Sequence, residues 1–365
     1  MNHAFKTTTV AGVAALGLLT APTAALSAES LTIVSWGGAY SESQLKAYHQ
    51  PYTEMTGTEI TNVSKSANGA SGVRAQVEAG NVTWDVVDML EAPAMKLCAE
   101  GYLDKIDADE ILKPAPDGTP ASEDFIGGLA ECYVPQILYA TLWATNTSMW
   151  SGEQPDSIDD IWNTSKFGGK RSLQKIPAGN LEWALMADGV SHDKVYDHLS
   201  NQDGIARAFE SLAKMKGNAV WWSEGAQPPQ LLADQEVSLA TGYNGRFFNA
   251  QVVEDQPIEL IWDGQLFEID GWVIPKGQLT EEVKNYLRFA TDTQRLADQA
   301  KYISYGPARK SSAKLVGKHA ELGVDMKPHM PTNPENLKTA VSKDAEFWAN
   351  NGDSLAERFN AWLAL

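Results

Sequence analysis

Short runs rich in β-branched residues alternate with segments of helical spacing along most of this chain. Residues 31–36 (LTIVSW) form a strand-like run that ends in two glycines, and residues 42–55 then place apolar side chains at helical intervals. Further strand-like runs lie at residues 59–63, 84–90, 171–175, 237–242 and 267–274, and further helical segments lie at residues 73–79, 181–187 and 204–216. This alternation predicts an α/β fold, with helices packed on a mostly parallel sheet.

The chain has 365 residues, which is enough for two compact domains that each have a core. We find no repeat, low-complexity linker or heptad array, so we expect two lobes that exchange strands. We assign residues 29–140 plus about 271–320 to lobe 1. Lobe 2 then comprises residues 141–270 plus about 321–365.

The first 28 residues have the pattern of a cleaved signal peptide. Lys6 precedes an apolar stretch at residues 10–19, and residues 20–28 are small, with cleavage plausible after Ser27 or Ala28. A membrane helix is the alternative, but the stretch is well short of the roughly 20 residues that a span needs. The pattern predicts a soluble periplasmic protein.

The formal net charge of −18 argues against nucleic acid and anionic membranes as partners. Cys98 and Cys132 are the only cysteines of the sequence, and in an oxidising compartment such a pair usually forms a disulfide. The histidines match no metal-binding pattern, and no G-x-S-x-G motif occurs. We therefore expect no metal, no cofactor and no catalysis, although motifs miss many catalytic sites and an enzyme remains an alternative.

Three segments place aromatic or charged residues where strands are expected to end. They are Trp36-Gly37-Gly38-Ala39-Tyr40, Tyr243-Asn244-Gly245-Arg246 and Glu268-Ile269-Asp270-Gly271-Trp272. In open α/β sheets, ligands bind beyond the carboxyl ends of strands. We expect the ligand site at these segments.

At these segments the sequence resembles the periplasmic spermidine/putrescine-binding proteins, which have the type II periplasmic binding fold. The resemblance rests on Trp36 and Tyr40, on residues 236–246, on Asp270 and on residues 302–310. It implies a two-lobed solute-binding protein with a hinge and an interlobe cleft. It also implies a small-molecule ligand, an ABC transporter permease as partner, and a monomer in solution.

An ammonium group is well held between aromatic faces and beside a buried carboxylate. Trp36, Tyr40, Tyr243 and Asp270 have the chemistry of such a box. Trp222 and Tyr305 are further candidates, as are Trp221, Phe267 and Trp272. The alternative for any one of these aromatic residues is packing in the core.

The chain departs from its relatives where they carry additional acids. Residues 37–39 are Gly-Gly-Ala, and the turn before residue 181 reads Pro-Ala-Gly-Asn. Arg246 stands where relatives carry serine or aspartate, and a guanidinium binds a carboxylate through two parallel hydrogen bonds. Arg246 and Asp270 together indicate a zwitterion such as γ-aminobutyrate, with a betaine-like compound next.

Several alternatives remain at this point. Arg246 could instead form an internal ion pair with Glu91 or Glu268, and the ligand would then be putrescine or spermidine. A chemosensory binder would use the same fold and the same ligand.

Overall fold

The computed structural model describes residues 1, 4, 30–127 and 129–365. Residues 5–28 of the predicted signal peptide lie outside the described residues. Within the described ranges, we find no helix with the length and apolar character that a membrane crossing requires.

The described chain contains strands and helices in close alternation. The strands are β1 (Ser30–Ser35), β2 (Glu59–Ser64), β3 (Val86–Leu90), β4 (Val134–Asn146), β5 (Arg171–Gln174), β6 (Ala219–Trp222), β7 (Leu239–Tyr243), β8 (Ile258–Val273), β9 (Gly306–Pro307) and β10 (Val341–Ser342). The helices are α1 (Gly38–Gln44), α2 (Gln50–Thr56), α3 (Gly69–Glu78), α4 (Glu91–Ala99), α5 (Ala108–Ile111), α6 (Ala121–Asp124), α7 (Ile158–Trp162), α8 (Asn180–Met186), α9 (Val195–Leu199), α10 (Gln202–Ala213), α11 (Gln227–Ala233), α12 (Asn244–Phe248), α13 (Glu281–Ala290), α14 (Thr293–Gln299), α15 (Lys310–Ala313) and α16 (Ala345–Ala364).

The strands form one sheet with the order β2-β1-β3-β8-β4-β7-β5-β6, in which β10 also pairs with β8 and β9 with β4. The blocks β2-β1-β3 and β7-β5-β6 are each parallel. Between them, β8 and β4 run antiparallel to each other and to the neighbouring blocks. The predicted mostly parallel sheet is therefore two parallel halves joined by an antiparallel pair.

The joining strands β4 and β8 are long and irregular. Their pairing shifts register between Thr141 and Trp143, where the partners change from Leu266 to Ile261. The sequence pattern predicted only residues 267–274 of β8 and none of β4. All thirteen residues of β4 are buried, so this strand lacks the alternation of apolar and polar residues that a half-exposed strand shows.

The turn after β1 depends on glycine. Gly37 and Gly38 have φ values of 76° and 58°, a region that residues with a Cβ rarely adopt. The helix that follows begins at Gly38, earlier than the predicted residue 42, and a π-helical turn at Leu45–His49 separates α1 from α2. This early start places Tyr40 in the first turn, directly beyond the end of β1.

Each half of the sheet has its own apolar core. One cluster includes Ile33, Tyr48 and Trp272. The other is built around Trp143 and Trp183, and it also contains buried residues of the C-terminal helix α16. The last helix of the chain, α16, therefore packs against the second half of the sheet.

The predicted disulfide between Cys98 and Cys132 is confirmed, with a Cα–Cα distance of 5.9 Å. It links the end of α4 to the segment that leads into β4. The bond therefore ties a peripheral helix to the antiparallel pair that joins the two halves of the sheet.

We predict that replacing Cys98 and Cys132 together by alanine lowers the free energy of unfolding by about 3 to 4 kcal/mol. The cross-link spans 34 residues, and closing a loop of that size restricts the unfolded chain to this extent. Urea unfolding followed by fluorescence measures the loss. A reducing agent should destabilise the native protein by a similar amount and leave the double variant unchanged, whereas a loss below about 1 kcal/mol would contradict the prediction.

Candidate functional site

A buried carboxylate lies where the first half of the sheet meets the antiparallel pair. Asp270 is 2% exposed and pairs with Leu90 at the end of β3. Its Oδ2 accepts hydrogen bonds from the Trp36 indole Nε1 at 2.8 Å and from the Tyr40 hydroxyl at 2.9 Å. The sequence had suggested that Asp270 lies at a strand end, but Asp270 lies inside β8. Because β8 is antiparallel to β3, Asp270 nevertheless reaches the carboxyl edge of β3.

A row of aromatic rings leads from this carboxylate into the second half of the sheet. Ring centroids are 5.9 Å apart for Tyr40 and Tyr305, 6.0 Å for Tyr305 and Tyr139, and 5.6 Å for Tyr139 and Tyr243. Trp222 continues the row at 5.7 Å from Tyr243. The structure thus brings together Tyr40, Tyr305, Tyr243 and Trp222 of the predicted site, and Trp36 joins them through its hydrogen bond to Asp270. Trp222 is fully buried and packs against Tyr243. The further candidates Trp221 and Phe267 lie elsewhere, since Trp221 packs against Phe359 and Trp362 of α16 and Phe267 packs against the first apolar core.

Arg246 follows β7 on the short helix α12, on the side of the second half. Its guanidinium lies close to two glycines, so that a Cβ built on Gly38 would be 2.8 Å from Nη1 and one built on Gly225 would be 3.0 Å from Nε. Gly38 belongs to the turn after β1. Arg246 therefore reaches across to the opposite side, and side chains at these glycines would obstruct it.

The described residues provide no ion-pair partner for Arg246. Glu268 is instead paired with Lys343 at 2.6 Å and accepts a hydrogen bond from the Tyr139 hydroxyl at 2.7 Å. The internal ion pair that the sequence left open is therefore not formed by these residues.

Two polar atoms at this site are buried and have no hydrogen-bond partner among the described residues. They are Nε of Arg246 and Oδ1 of Asp270. An unpaired buried polar atom costs about 1 to 3 kcal/mol, and more when its group is charged. The two atoms have opposite requirements, since Arg246 can only donate and ionised Asp270 can only accept.

The electrostatics of the carboxylate follow from its burial. The pKa of Asp270 is raised well above its usual range, first by loss of hydration and second by repulsion from the neighbouring Asp88. Burial also raises the pKa of Asp88 to about 7. The folded protein therefore retains protons on this pair of carboxyl groups to a higher pH than the unfolded chain does.

Sequence reasoning missed several neighbours of the site. Tyr139 lies in the middle of β4, which was not predicted, and Gln174 donates to the Tyr243 hydroxyl from the end of β5 at 3.3 Å. Asp88 follows two valines in the apolar strand β3. The only sequence signal that could have marked Asp88 as a residue near the site is its charge within that apolar run.

Trp272 and Glu182 have structural roles. The Trp272 side chain is fully buried and packs against Tyr48, with ring centroids 5.7 Å apart. The Glu182 Oε2 atom accepts a hydrogen bond from the Gly179 N–H at 2.7 Å, which caps α8. Within the described ranges, no group of three or more His, Cys, Asp or Glu residues is arranged to hold a metal ion.

We predict that Asp270→Asn stabilises the ligand-free protein at about pH 8 and has little effect at about pH 4. A carboxyl whose pKa is raised by folding binds more protons folded than unfolded, so its contribution to stability is lost as the pH rises through the folded pKa. Melting temperatures across this range measure the effect, and we expect a gain of a few degrees at the higher pH.

The matched control is Asp353→Asn, because the Asp353 side chain is 91% exposed. It should leave the melting curve unchanged at both pH values. A destabilised Asp270→Asn at about pH 8 would show that the ionised carboxylate is favourable in the ligand-free fold.

Comparison with known proteins identifies the kind of molecule to which this site belongs. The profile of a family described as bacterial extracellular solute-binding proteins matches residues 47–332. A γ-aminobutyric acid-binding protein of Pseudomonas aeruginosa is 35% identical over 351 residues, which cover 95% of this chain and 95% of the relative. A spermidine/putrescine-binding periplasmic protein of Haemophilus influenzae is 23% identical over 61% of each chain.

Solved structures give the same result. The periplasmic binding protein MotA of A. tumefaciens, in complex with glucopine, has a TM-score of 0.81 and 28% identity over 92% of this chain and 99% of that chain. A structure described as the Atu4243 γ-aminobutyrate receptor has a TM-score of 0.77 and 30% identity, covering 92% and 98% of the two chains. An ABC transporter substrate-binding protein of Bradyrhizobium japonicum has a TM-score of 0.78 at 27% identity, covering 92% and 99%.

These comparisons confirm the predicted two-lobed fold of type II periplasmic binding proteins and the predicted resemblance to polyamine and γ-aminobutyrate binders. They also confirm that the protein is a solute-binding protein of the ABC transporter type and not an enzyme, since the matched family and relatives are solute-binding proteins. The chain belongs to the family of bacterial extracellular solute-binding proteins.

Proposed function

We propose that this protein is the periplasmic receptor of an ABC transporter and captures a zwitterionic ω-amino acid, with γ-aminobutyrate as the best candidate. Asp270 binds the ammonium group, with Trp36, Tyr40 and Tyr305 providing aromatic faces around it. Arg246 binds the carboxylate through two hydrogen bonds, beside Tyr243, which Trp222 holds in place.

One observation carries this proposal. Nε of Arg246 and Oδ1 of Asp270 are both buried without a partner among the described residues, and they belong to the two groups that a zwitterion would satisfy. The names of two relatives, a γ-aminobutyric acid-binding protein and a γ-aminobutyrate receptor, support the same ligand class.

The ligand couples the two lobes because it contacts both of them: the aromatic residues Trp36, Tyr40 and Tyr305 lie in lobe 1, whereas Asp270 and Arg246 lie in lobe 2. We keep lobe 1 as residues 29–140 plus about 271–320, and lobe 2 as residues 141–270 plus about 321–365. The two apolar cores support this division, since one is dominated by early residues and the other by residues beyond 140. Only the closed state makes both contacts at once, so binding shifts the equilibrium towards closure.

A polyamine fits the site less well. A second ammonium group would approach Arg246, which has no ion-pair partner within the described ranges. Of the nearby acids, Glu268 is neutralised by Lys343 and Glu182 is occupied in capping a helix. A betaine-like zwitterion retains the same two contacts and differs only in the methylated cation.

The proposed cellular setting rests on the sequence pattern and is supported by the family. Residues 1–28 act as a cleaved signal peptide, and the mature protein works in the periplasm as a monomer. The closed form presents surfaces of both lobes to a membrane permease. Binding requires no metal and no cofactor.

We predict that γ-aminobutyrate and 5-aminovalerate raise the melting temperature of the ligand-stripped mature protein, whereas putrescine and spermidine do not. A ligand at 100 times its dissociation constant adds roughly 2.7 kcal/mol to the stability of the folded state. Glycine betaine tests the methylated alternative. A shift with putrescine or spermidine alone would show that Arg246 has a structural role and that the ligand is a polyamine.

We predict that Arg246→Ala weakens binding of γ-aminobutyrate by about 100-fold and leaves any diamine binding unchanged or stronger. Removing a buried charged partner of a carboxylate costs about 2 to 5 kcal/mol. Isothermal titration calorimetry measures both ligands, with Arg74→Ala as the control because Arg74 is a half-exposed surface residue paired with Glu100. If Arg246→Ala and the native protein bound γ-aminobutyrate with equal affinity, the proposed contact between Arg246 and the ligand carboxylate would be wrong.

The glycines next to Arg246 allow a finer test. We predict that Gly38→Ala weakens γ-aminobutyrate binding by at least about tenfold, because its Cβ would displace the guanidinium. The matched control is Gly80→Ala, since Gly80 has a similar φ of 64° and no neighbouring atom within 4 Å. Both variants should lose about 1 kcal/mol of stability to backbone strain, and calorimetry should show weakened binding in Gly38→Ala alone.

A further inference from the structure

Three acceptor oxygens surround one hydroxyl group beside the ligand site. The Tyr40 hydroxyl lies 2.9 Å from Asp270 Oδ2, 3.2 Å from Asp88 Oδ1 and 2.5 Å from Gln136 Oε1. A phenol has one proton and can donate only one hydrogen bond. The arrangement therefore needs at least one further proton to avoid repulsive contacts between acceptors.

The orientation of the Gln136 amide does not remove this shortage. Gln136 Nε2 points to Oε1 of Gln299 at 3.3 Å, and that oxygen also accepts from the Tyr48 hydroxyl at 2.7 Å. If the nitrogen and oxygen of the Gln136 side-chain amide were exchanged, the Gln136 oxygen would face the Gln299 oxygen, and neither could donate a hydrogen bond to the other. Gln299 is held in its orientation because its Nε2 donates to the Ser43 hydroxyl at 3.1 Å, and that hydroxyl itself donates to the Tyr40 carbonyl oxygen at 2.6 Å. The Gln136 oxygen therefore stays directed at Tyr40, and the missing proton belongs to a carboxyl group.

Asp88 has a donor of its own. Gln44 Nε2 lies 3.0 and 2.9 Å from the two Asp88 oxygens, and Gln44 Oε1 accepts from the Ser35 hydroxyl at 2.6 Å. Asp88 is fully buried and Asp270 nearly so, and the Tyr40 hydroxyl connects them.

No cation balances this pair among the described residues. On the side of Asp88 the neighbouring titratable groups are the phenols of Tyr48, Tyr133 and Tyr286. On the side of Asp270 they are the phenols of Tyr139, Tyr243 and Tyr305.

The charged groups around these phenols are Glu91, Glu268, Asp298, Arg295, Lys343 and Arg246. Arg295 forms its ion pair with Asp298 at 2.7 Å, and Glu268 forms its ion pair with Lys343. Glu91 adds further negative charge. Arg246 is the cation that would favour ionisation, but it forms no ion pair with either carboxylate in the described chain.

We propose that Asp88, Asp270 and the Tyr40 hydroxyl share a proton in the ligand-free protein, and that an ammonium group displaces this proton when it binds to Asp270. This inference rests on the proposed function, in which Asp270 receives the ammonium group. Asp88 does not touch the ligand and acts through Asp270, so it is a positioning residue that controls charge. The proton leaves to solvent, and one positive charge replaces another.

The exchange leaves the net charge of the site unchanged, because one proton leaves as one ammonium group arrives. The two carboxyl groups therefore hold one positive charge between them both with and without the ligand. The raised pKa values of Asp88 and Asp270, both caused first by burial, are consistent with this arrangement.

Proton release predicts how affinity depends on pH. Below the pKa of the pair, the dissociation constant of γ-aminobutyrate should rise by up to tenfold for each pH unit of acidification. Calorimetry in buffers of different ionisation enthalpy should show that about one proton is released per ligand at about pH 6.

Asp88→Asn tests the role of the second carboxylate. Burial still raises the pKa of Asp270 in this variant, but the repulsion from Asp88 is gone and the pKa falls. Proton release at about pH 6 should therefore be measurably lower than in the native protein. The matched control is Asp85→Asn, because Asp85 precedes the same strand and its carboxylate accepts from the Thr32 N–H at 2.7 Å, away from the site. Equal proton release in Asp88→Asn and the native protein would overturn the proposal.

A measurement on the unaltered ligand-free protein keeps the test decisive if Asp88→Asn fails to fold. Infrared spectra at about pH 6 should contain the carbonyl band of a protonated buried carboxyl group. The band should disappear when γ-aminobutyrate is added. Absence of the band in the ligand-free protein overturns the shared proton. A band that persists without any binding of γ-aminobutyrate contradicts the proposed function instead, and leaves the shared proton supported.

Discussion

The antiparallel pairing of β4 with β8 is the constraint on which the rest of the structure depends. Each strand extends through both halves of the sheet, so β8 pairs with β3 on one side while β4 pairs with β7 on the other. This pairing sets Asp270 at the end of β3 and Tyr243 beside β4. Two parallel blocks with separate cores thereby direct their strand ends towards one site.

The site combines apolar walls with charged groups that the protein leaves incompletely paired. Tyrosine rings exclude water from Asp270, and the same exclusion makes its negative charge costly in the ligand-free state. In the proposed function, the ammonium group of the ligand removes this cost. The free energy that the fold gives up by leaving Asp270 without a cation then contributes to the affinity for the ligand.

Much of the candidate site could be proposed from the sequence because its residues are grouped in short segments. Trp36 and Tyr40 follow a strand and a glycine pair, and Tyr243 and Arg246 follow another strand, so local pattern located both segments. Tyr139 and Asp88 were not predicted, since they lie inside buried strands where neither alternation nor a turn distinguishes a residue at the site from one in the core.

The sequence by itself determined the α/β class, the family resemblance, the disulfide pair and the chemistry of the charged groups at the site. Those features follow from local spacing and from residue types. Only the tertiary structure decided that Arg246 lacks an internal ion-pair partner within the described residues, that Glu268 is paired with Lys343, and that Asp88 lies behind Asp270. Which charges neutralise one another depends on distances across the fold and on how far burial removes water from each group, and neither quantity is encoded in local sequence.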